Sequence, residues 1–274
     1  MRRITMRIIL LSLILISCPA FGEEPNEDLH TKCIYPTVRL EAGENRSHAS
    51  TTGIILVSQK DNKVYHNVGI TVSHGVRDRT VKVKVFSYKD WSTILRVTSY
   101  DGIIYYSQLN KDIAVFMFTS ITPMPTAKLV APNTTLYAGQ EITKVGCGLG
   151  DPPRIDKGII SGVNRKFSAQ FDKKIQLSIY TLPGDSGSAI FNKDHEIVGI
   201  LQSMRVDNND DNILYYLIGF AADIKNLYEI IKSEEGGLDF LQGDDLPVLP
   251  WFEIKTNALN KDIRAIPMNP WLNN

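Results

Sequence analysis

The chain has 274 residues, 43% of them hydrophobic and 22% charged, and its 30 basic and 30 acidic side chains cancel to a formal net charge of zero. That length and apolar content support a substantial core, in one domain of two subdomains or in two small domains, and exclude a disordered chain. Charge balance leaves no electrostatic footprint for nucleic acid or an anionic membrane surface.

Arg2, Arg3 and Arg7 lead into an apolar run over 8–16, and the small-residue end Ala20-Phe21-Gly22 follows. A basic start, a short apolar run and small residues are the layout of a secretory signal peptide over 1–22, cleaved after Gly22; the run is too short for a comfortable membrane span. The expectation is an exported protein, periplasmic or secreted, with no transmembrane domain. Leu15-Ile16-Ser17-Cys18 also resembles a bacterial lipobox, so a lipid anchor at Cys18 is the alternative, although Pro19 is unusual after such a cysteine. Without Cys18, Cys33 and Cys147 remain; they could pair in an oxidising compartment, but their wide separation says little about proximity. Neither has CxxC spacing and no His/Cys cluster suggests zinc, so no metal and no cofactor are expected.

From Cys33 onward, short segments rich in β-branched and aromatic residues alternate with polar turns. Strands are predicted over 35–40, 53–58, 63–72, 80–87, 94–100 and 112–118. Val81, Val83 and Val85 alternate with Lys82 and Lys84, the period-2 signature of a sheet with one wet face. No helix-period segment interrupts this half, so a closed barrel or a sandwich fits better than a parallel α/β sheet. Pro123, Pro125 and Pro132 make 121–132 the best internal connector. Strands resume over 136–137, 141–146, 158–163, 175–180, 189–191, 196–202 and 214–221. The first helix comes late, capped by Asp223 with Ile224, Leu227, Tyr228 and Ile231 at i, i+3, i+4, i+7 spacing. The layout is thus an all-β unit over 23–122, a second over 123–222, and a C-terminal helix and short tail over 223–274, the tail being too small for a core of its own.

The chemistry centres on Pro183-Gly184-Asp185-Ser186-Gly187-Ser188, where a serine between glycines, ahead of an apolar strand, reads as a tight loop that projects one hydroxyl. A serine hydroxyl is a poor nucleophile at neutral pH, so it needs a histidine base and a carboxylate to orient that base. Of the five histidines, His74 ends the apolar strand Val68-Gly69-Ile70-Thr71-Val72-Ser73, where a turn can present its ring at a cleft. Asp112 leads directly into Ile113-Ala114-Val115-Phe116-Met117-Phe118, the most apolar strand of the first half.

In that order His74, Asp112 and Ser186 and their surroundings resemble the trypsin/chymotrypsin-like serine peptidases. Thr71-Val72-Ser73-His74-Gly75-Val76 is similar to that family's histidine block, Asp112-Ile113-Ala114-Val115 to its aspartate block, and Gly184-Asp185-Ser186-Gly187 to its serine loop. Tyr35-Pro36-Thr37-Val38-Arg39-Leu40 resembles its first barrel strand, Cys147-Gly148-Leu149-Gly150 its Gly-Trp-Gly turn, and Ile197-Val198-Gly199-Ile200 the strand walling its cleft. Gly158-Ile159-Ile160-Ser161-Gly162-Val163 and Gly219-Phe220-Ala221 lean toward the high-temperature-requirement branch of bacterial proteases, though the tail is too short for that branch's PDZ module.

The resemblance implies two antiparallel six-stranded β-barrels with the site between them, His74 and Asp112 from the first and Ser186 from the second. It implies an endopeptidase that acts on a protein or peptide through an acyl-enzyme, with the backbone N–H groups of Gly184 and Ser186 as oxyanion hole. Tyr180 falls where a trypsin carries its pocket aspartate, so no preference for Lys or Arg is expected; Gln202, Ser203 and Met204 should line the cleft wall, and an apolar or small side chain is expected before the scissile bond. Two departures stand out. Ser188 replaces the usual second glycine, and no Ile-Val-Gly-Gly segment is present to supply the N-terminus that activated members bury against Asp185. Asp185 therefore needs another partner or stays near solvent, and the enzyme is expected to fold active without zymogen cleavage.

A catalytically silent member of the same fold, used as a binding module, is the non-enzyme alternative. An α/β-hydrolase elbow would need glycine at Ser188. The acidic stretch Asp207-Asn208-Asn209-Asp210-Asp211-Asn212 lacks the glycine and glutamate of an EF-hand and reads as a solvated hairpin loop.

Overall fold

The computed structural model describes residues 26–42, 49–76, 80–90, 92–165, 174–206 and 214–232. The segment expected to be a signal peptide, with Cys18, the acidic stretch 207–212 expected to be a hairpin loop, and the expected tail from 233 on lie outside the described residues. Strands β1 (Thr37–Ala42), β2 (Ala49–Asp61), β3 (Val64–Thr71), β4 (Thr80–Tyr88), β5 (Ile94–Gln108) and β6 (Ile113–Ser120) close into a barrel in the order β1-β2-β3-β6-β5-β4. Every pairing in it is antiparallel. All six strands expected in this half are present, and β5 runs eight residues past the predicted end at Tyr100.

The alternation in β4 works as read: Val81, Val83 and Val85 are buried while Lys82 is exposed. In β6 the run from Ile113 to Phe118 is buried throughout, because it serves two cores. Ala114, Phe116 and Phe118 fill the barrel interior with Val38, Leu40 and Val83, whereas Ile113, Val115 and Met117 belong to an apolar cluster that continues into the second barrel. A strand buried on both faces loses its period-2 pattern and reads as one hydrophobic run.

The second barrel comprises β8 (Glu141–Gly146), β9 (Arg154–Arg165), β10 (Lys174–Ser178), β11 (Ala189–Phe191), β12 (Glu196–Val206) and β13 (Leu214–Asp223), in the order β11-β8-β9-β10-β13-β12, closed by β11 against β12. A two-residue strand, β7 (Lys128–Leu129), adds in parallel to β12 at Glu196 and Ile197. It falls inside the segment read as a connector, on the proline-free stretch between Pro125 and Pro132 where backbone donors remain. The strand expected at 136–137 is absent. Those residues are caught between the turn at Pro132-Asn133 and the turn at Ala138-Gly139, and Tyr137 lies exposed.

Helix α1 (Glu27–Leu29), capped by the Asn26 side chain, runs into a π-turn (His30–Ile34), neither anticipated from sequence. The pair buries Cys33 and Ile34 against the shared apolar cluster. Helix α2 (Ile224–Lys232) starts where the Asp223 carboxylate accepts from the Lys225 N–H at 2.9 Å and buries Ile224, Leu227 and Ile230. Cys33 and Cys147 are free and buried, and burial pushes each thiol up to about 12, so neither supplies a thiolate at neutral pH.

Candidate active site

Antiparallel pairing of β3 with β6, which sets Thr71 opposite Ala114, brings the end of one strand beside the start of the other. His74 follows β3 and Asp112 precedes β6, so strand pairing alone makes them neighbours. His74 Nδ1 lies 2.8 Å from Asp112 Oδ2 and 3.0 Å from Oδ1, and the His74 backbone N–H donates to Oδ1 at 3.0 Å. Both segments are braced. The Ser73 hydroxyl donates to the Ile113 carbonyl at 2.7 Å and accepts from Ser107 at 3.0 Å. Asp112 is left-handed (φ 52°), a conformation that Asp tolerates, in a turn closed by its own N–H on Leu109.

Ser186 stands on the loop between β10 and β11, held to the first barrel from below. Its carbonyl accepts from the Thr52 N–H at 2.8 Å and the Thr51 hydroxyl at 2.5 Å, and the Thr52 hydroxyl donates to the Gly184 carbonyl at 2.9 Å. So anchored, Ser186 Oγ lies 3.2 Å from His74 Nε2 and 3.4 Å from the Gln202 carbonyl. The three residues singled out in sequence thus form one chain of contacts from carboxylate through imidazole to hydroxyl.

The Pro183 carbonyl accepts from the Leu149 N–H at 2.6 Å. In a trans peptide the C=O and the next N–H point in opposite directions, so this bond turns the Gly184 N–H away from Leu149. Gly184 takes φ 94°, and an added Cβ would sit 2.9 Å from the Cys147 carbonyl oxygen. Among the described residues neither the Gly184 nor the Ser186 N–H has a protein acceptor.

Asp185 is wholly buried and does not need an N-terminus as partner. Its Oδ2 receives Lys144 Nζ at 2.5 Å, the Leu182 N–H at 2.8 Å and Arg154 Nη2 at 3.1 Å. Lys144 and Arg154 escaped the sequence reading. Lys144 does share a strand face with Ile142 and Gly146, and a lysine at an inward position is a signal of a buried partner.

The residues expected to line the cleft divide. Tyr180 is 42% exposed with the Arg154 guanidinium 5.2 Å over its ring, Ser203 is exposed and Met204 half-buried. The Gln202 side chain is buried and turned toward the aspartate loop, donating to the carbonyls of Lys111 at 2.6 Å and Asp112 at 3.1 Å. Gln202 falls at a register break in the β12–β13 ladder, between Leu201 paired with Ala221 and Ser203 paired with Phe220. Gln202→Leu strips both buried carbonyls of their donor, and we expect about 2 kcal/mol of lost stability, read from the midpoint of urea unfolding.

Two barrels with a Ser, His and Asp drawn together at their junction define the trypsin-like class. Residues 51–200 match the trypsin-like peptidase domain, and the chain belongs to that family. It is similar to a putative protease Do-like 14 of Arabidopsis thaliana, 28% identical over 172 residues covering 61% of this chain and 37% of that protein. It is also similar to a serine protease HtrA-like of Staphylococcus aureus (strain USA300), 28% identical over 142 residues covering 47% of this chain and 18% of that protein. The chain therefore spans well under half the length of the curated relatives it matches. Among solved structures, an HtrA-type protease AlgW with tripeptide shares the fold, with a TM-score of 0.61 at 18% identity over 76% of this chain and 64% of that one. No helix among the described residues is long and apolar enough to cross a membrane.

Proposed function

We propose that the chain is an exported serine endopeptidase that hydrolyses peptide bonds through His74, Asp112 and Ser186. The observation that carries this is the 3.2 Å approach of His74 Nε2 to Ser186 Oγ while Nδ1 is held by Asp112. His74 takes the Ser186 proton as Oγ attacks the peptide carbonyl, then returns it to the leaving amine; Asp112 fixes the ring tautomer and stabilises the imidazolium. Water, activated by the same histidine, then hydrolyses the acyl-enzyme. The free N–H groups of Gly184 and Ser186 hold the oxyanion, and removing one such donor elsewhere costs on the order of 10²- to 10³-fold in turnover. With Tyr180, 42% exposed, standing where a carboxylate would be needed for a basic side chain, the side chain before the scissile bond is apolar or small.

A fluorophosphonate probe tests the reading directly, since it labels only a serine activated in this way. Labelling of the wild type that disappears in Ser186→Ala is the expected result. A wild type that stays unlabelled while correctly folded makes the chain a binding module on a peptidase fold.

A further inference from the structure

Lys144 is the most buried cation among the described residues, at zero exposure in the middle of β8. An ammonium has three donors, and each finds an acceptor: Asp185 Oδ2 at 2.5 Å, the Tyr180 carbonyl at 2.7 Å and Asp156 Oδ2 at 2.9 Å. Arg154 completes the group, reaching both Asp156 at 3.2 Å and Asp185 at 3.1 Å, so two cations face two carboxylates. The two cations are not equivalent. Lys144 is closer to Asp185 and fully enclosed, whereas the Arg154 side chain is 28% exposed and its charge is screened by solvent. Asp185 Oδ1 has no protein donor among the described residues, so the hold on the carboxylate runs through Oδ2, where Lys144 is the nearest group.

Asp185 stands between the two N–H groups aimed at the oxyanion, and its own main chain is pinned as well, its N–H on the Leu182 carbonyl and its carbonyl on the Ser188 N–H. The contacts of the Asp185 side chain therefore add a hold on the direction of Gly184 and Ser186 to the bonds that Thr51, Thr52 and Leu149 make to the loop main chain. We propose that Lys144 is the positioning residue that holds this loop in its donor-presenting conformation, so that competence is built into the fold and needs no cleaved N-terminus. The proposal rests on the peptidase reading. Without the ammonium, Asp185 is a buried anion with one partly screened counter-charge, and it relaxes by swinging toward solvent, carrying the Gly184 peptide with it. Arg154 links the same carboxylate to the ring of Tyr180, so the loop and the pocket share one electrostatic support.

The test compares the full chain with Lys144→Met, which keeps the length of the stem and removes the charge, and with Lys144→Arg. Kinetics well below each variant's melting temperature should show kcat down about 100-fold in Lys144→Met with KM little changed, the size expected for loss of one oxyanion donor. The affinity of a peptidyl boronate, which mimics the tetrahedral adduct, should fall in parallel, and Lys144→Arg should recover at least about tenfold of the loss. A residue with only a structural role would lower the melting temperature and leave kcat in place. Amide hydrogen exchange supplies a readout independent of catalysis. The Leu149 N–H, protected by the Pro183 carbonyl in the wild type, should exchange faster in Lys144→Met, because that bond exists only while the Gly184 peptide is oriented as described. If Lys144→Met does not fold, Lys144→Gln, uncharged and one bond shorter but still carrying an N–H donor, gives the same comparison. Turnover within threefold of wild type together with unchanged protection at Leu149 overturns the proposal. An unlabelled wild type overturns the peptidase reading instead, and the exchange measurement still decides what Lys144 does.

Discussion

Asp112→Asn is expected to lower kcat by about 10⁴-fold, a loss of about 5 kcal/mol in transition-state stabilisation, with the fold and KM little changed. The magnitude follows from how the carboxylate is used. Oδ1 accepts from the His74 main-chain N–H, and Oδ2 accepts from the ring Nδ1–H. Asparagine has one acceptor and one donor end, and a backbone N–H cannot become an acceptor. The amide oxygen must therefore stay on the main-chain N–H, which turns the NH₂ group toward Nδ1. Nδ1 then has to accept, and the ring proton moves to Nε2, the atom that faces Ser186 Oγ at 3.2 Å. A protonated Nε2 cannot take the serine proton, although every heavy atom is in place. Steady-state kinetics gives the rate, and ¹⁵N chemical shifts of the His74 ring give the tautomer. A variant that loses activity with its proton still on Nδ1 would show that Asp112 acts by charge rather than by fixing the tautomer.

Much of this site was legible because its chemistry is written in local patterns. His74 and Asp112 stand at the ends of strands that the alternation and the apolar runs mark clearly, and Ser186 sits in a glycine-flanked turn. Their juxtaposition was not legible from those patterns alone. It depends on β3 pairing with β6 rather than with β4, and no local pattern encodes which strands become neighbours. The supporting residues were hidden for a related reason. Lys144 and Gln202 look like ordinary polar positions on strands, and only the folded chain reveals that both are buried against partners far away in sequence, Asp185 for Lys144 and the aspartate loop of the first barrel for Gln202. The departure at Asp185 was visible as an unsolved problem, a carboxylate without its N-terminus that needed another partner or a place near solvent. Its solution lay 41 residues upstream on β8. The short β7 was missed because it rests on pairing with β12 rather than on propensity, a two-residue ladder being below what composition can signal.

Gly187→Ala should be the most damaging single methyl group that can be added to the serine loop, at about 4 kcal/mol and a fall in melting temperature of about 12 °C. Gly187 has φ 88°, where any L-residue pays roughly 1–2 kcal/mol. The larger part is steric. An added Cβ would lie 1.9 Å from the Thr52 carbonyl oxygen and 2.6 Å from the Thr71 hydroxyl. Neither can retreat, because the Thr71 hydroxyl donates to that same carbonyl at 2.6 Å and β2 is paired on both sides within the first barrel. The loop must lift instead. Lifting it strains the Thr52 N–H and Thr51 hydroxyl bonds to the Ser186 carbonyl and the Thr52 hydroxyl bond to Gly184, each worth about 1 kcal/mol. Since those bonds also aim Ser186 at His74, turnover should fall with stability. Gly139→Ala separates the two contributions, because Gly139 has nearly the same φ of 89° with nothing within 4 Å of an added Cβ. That substitution should cost about 1 kcal/mol and leave activity unchanged, as read by calorimetry and peptide hydrolysis. Equal losses at the two glycines would mean that backbone conformation alone sets the cost, and that the first barrel does not brace the serine loop through β2.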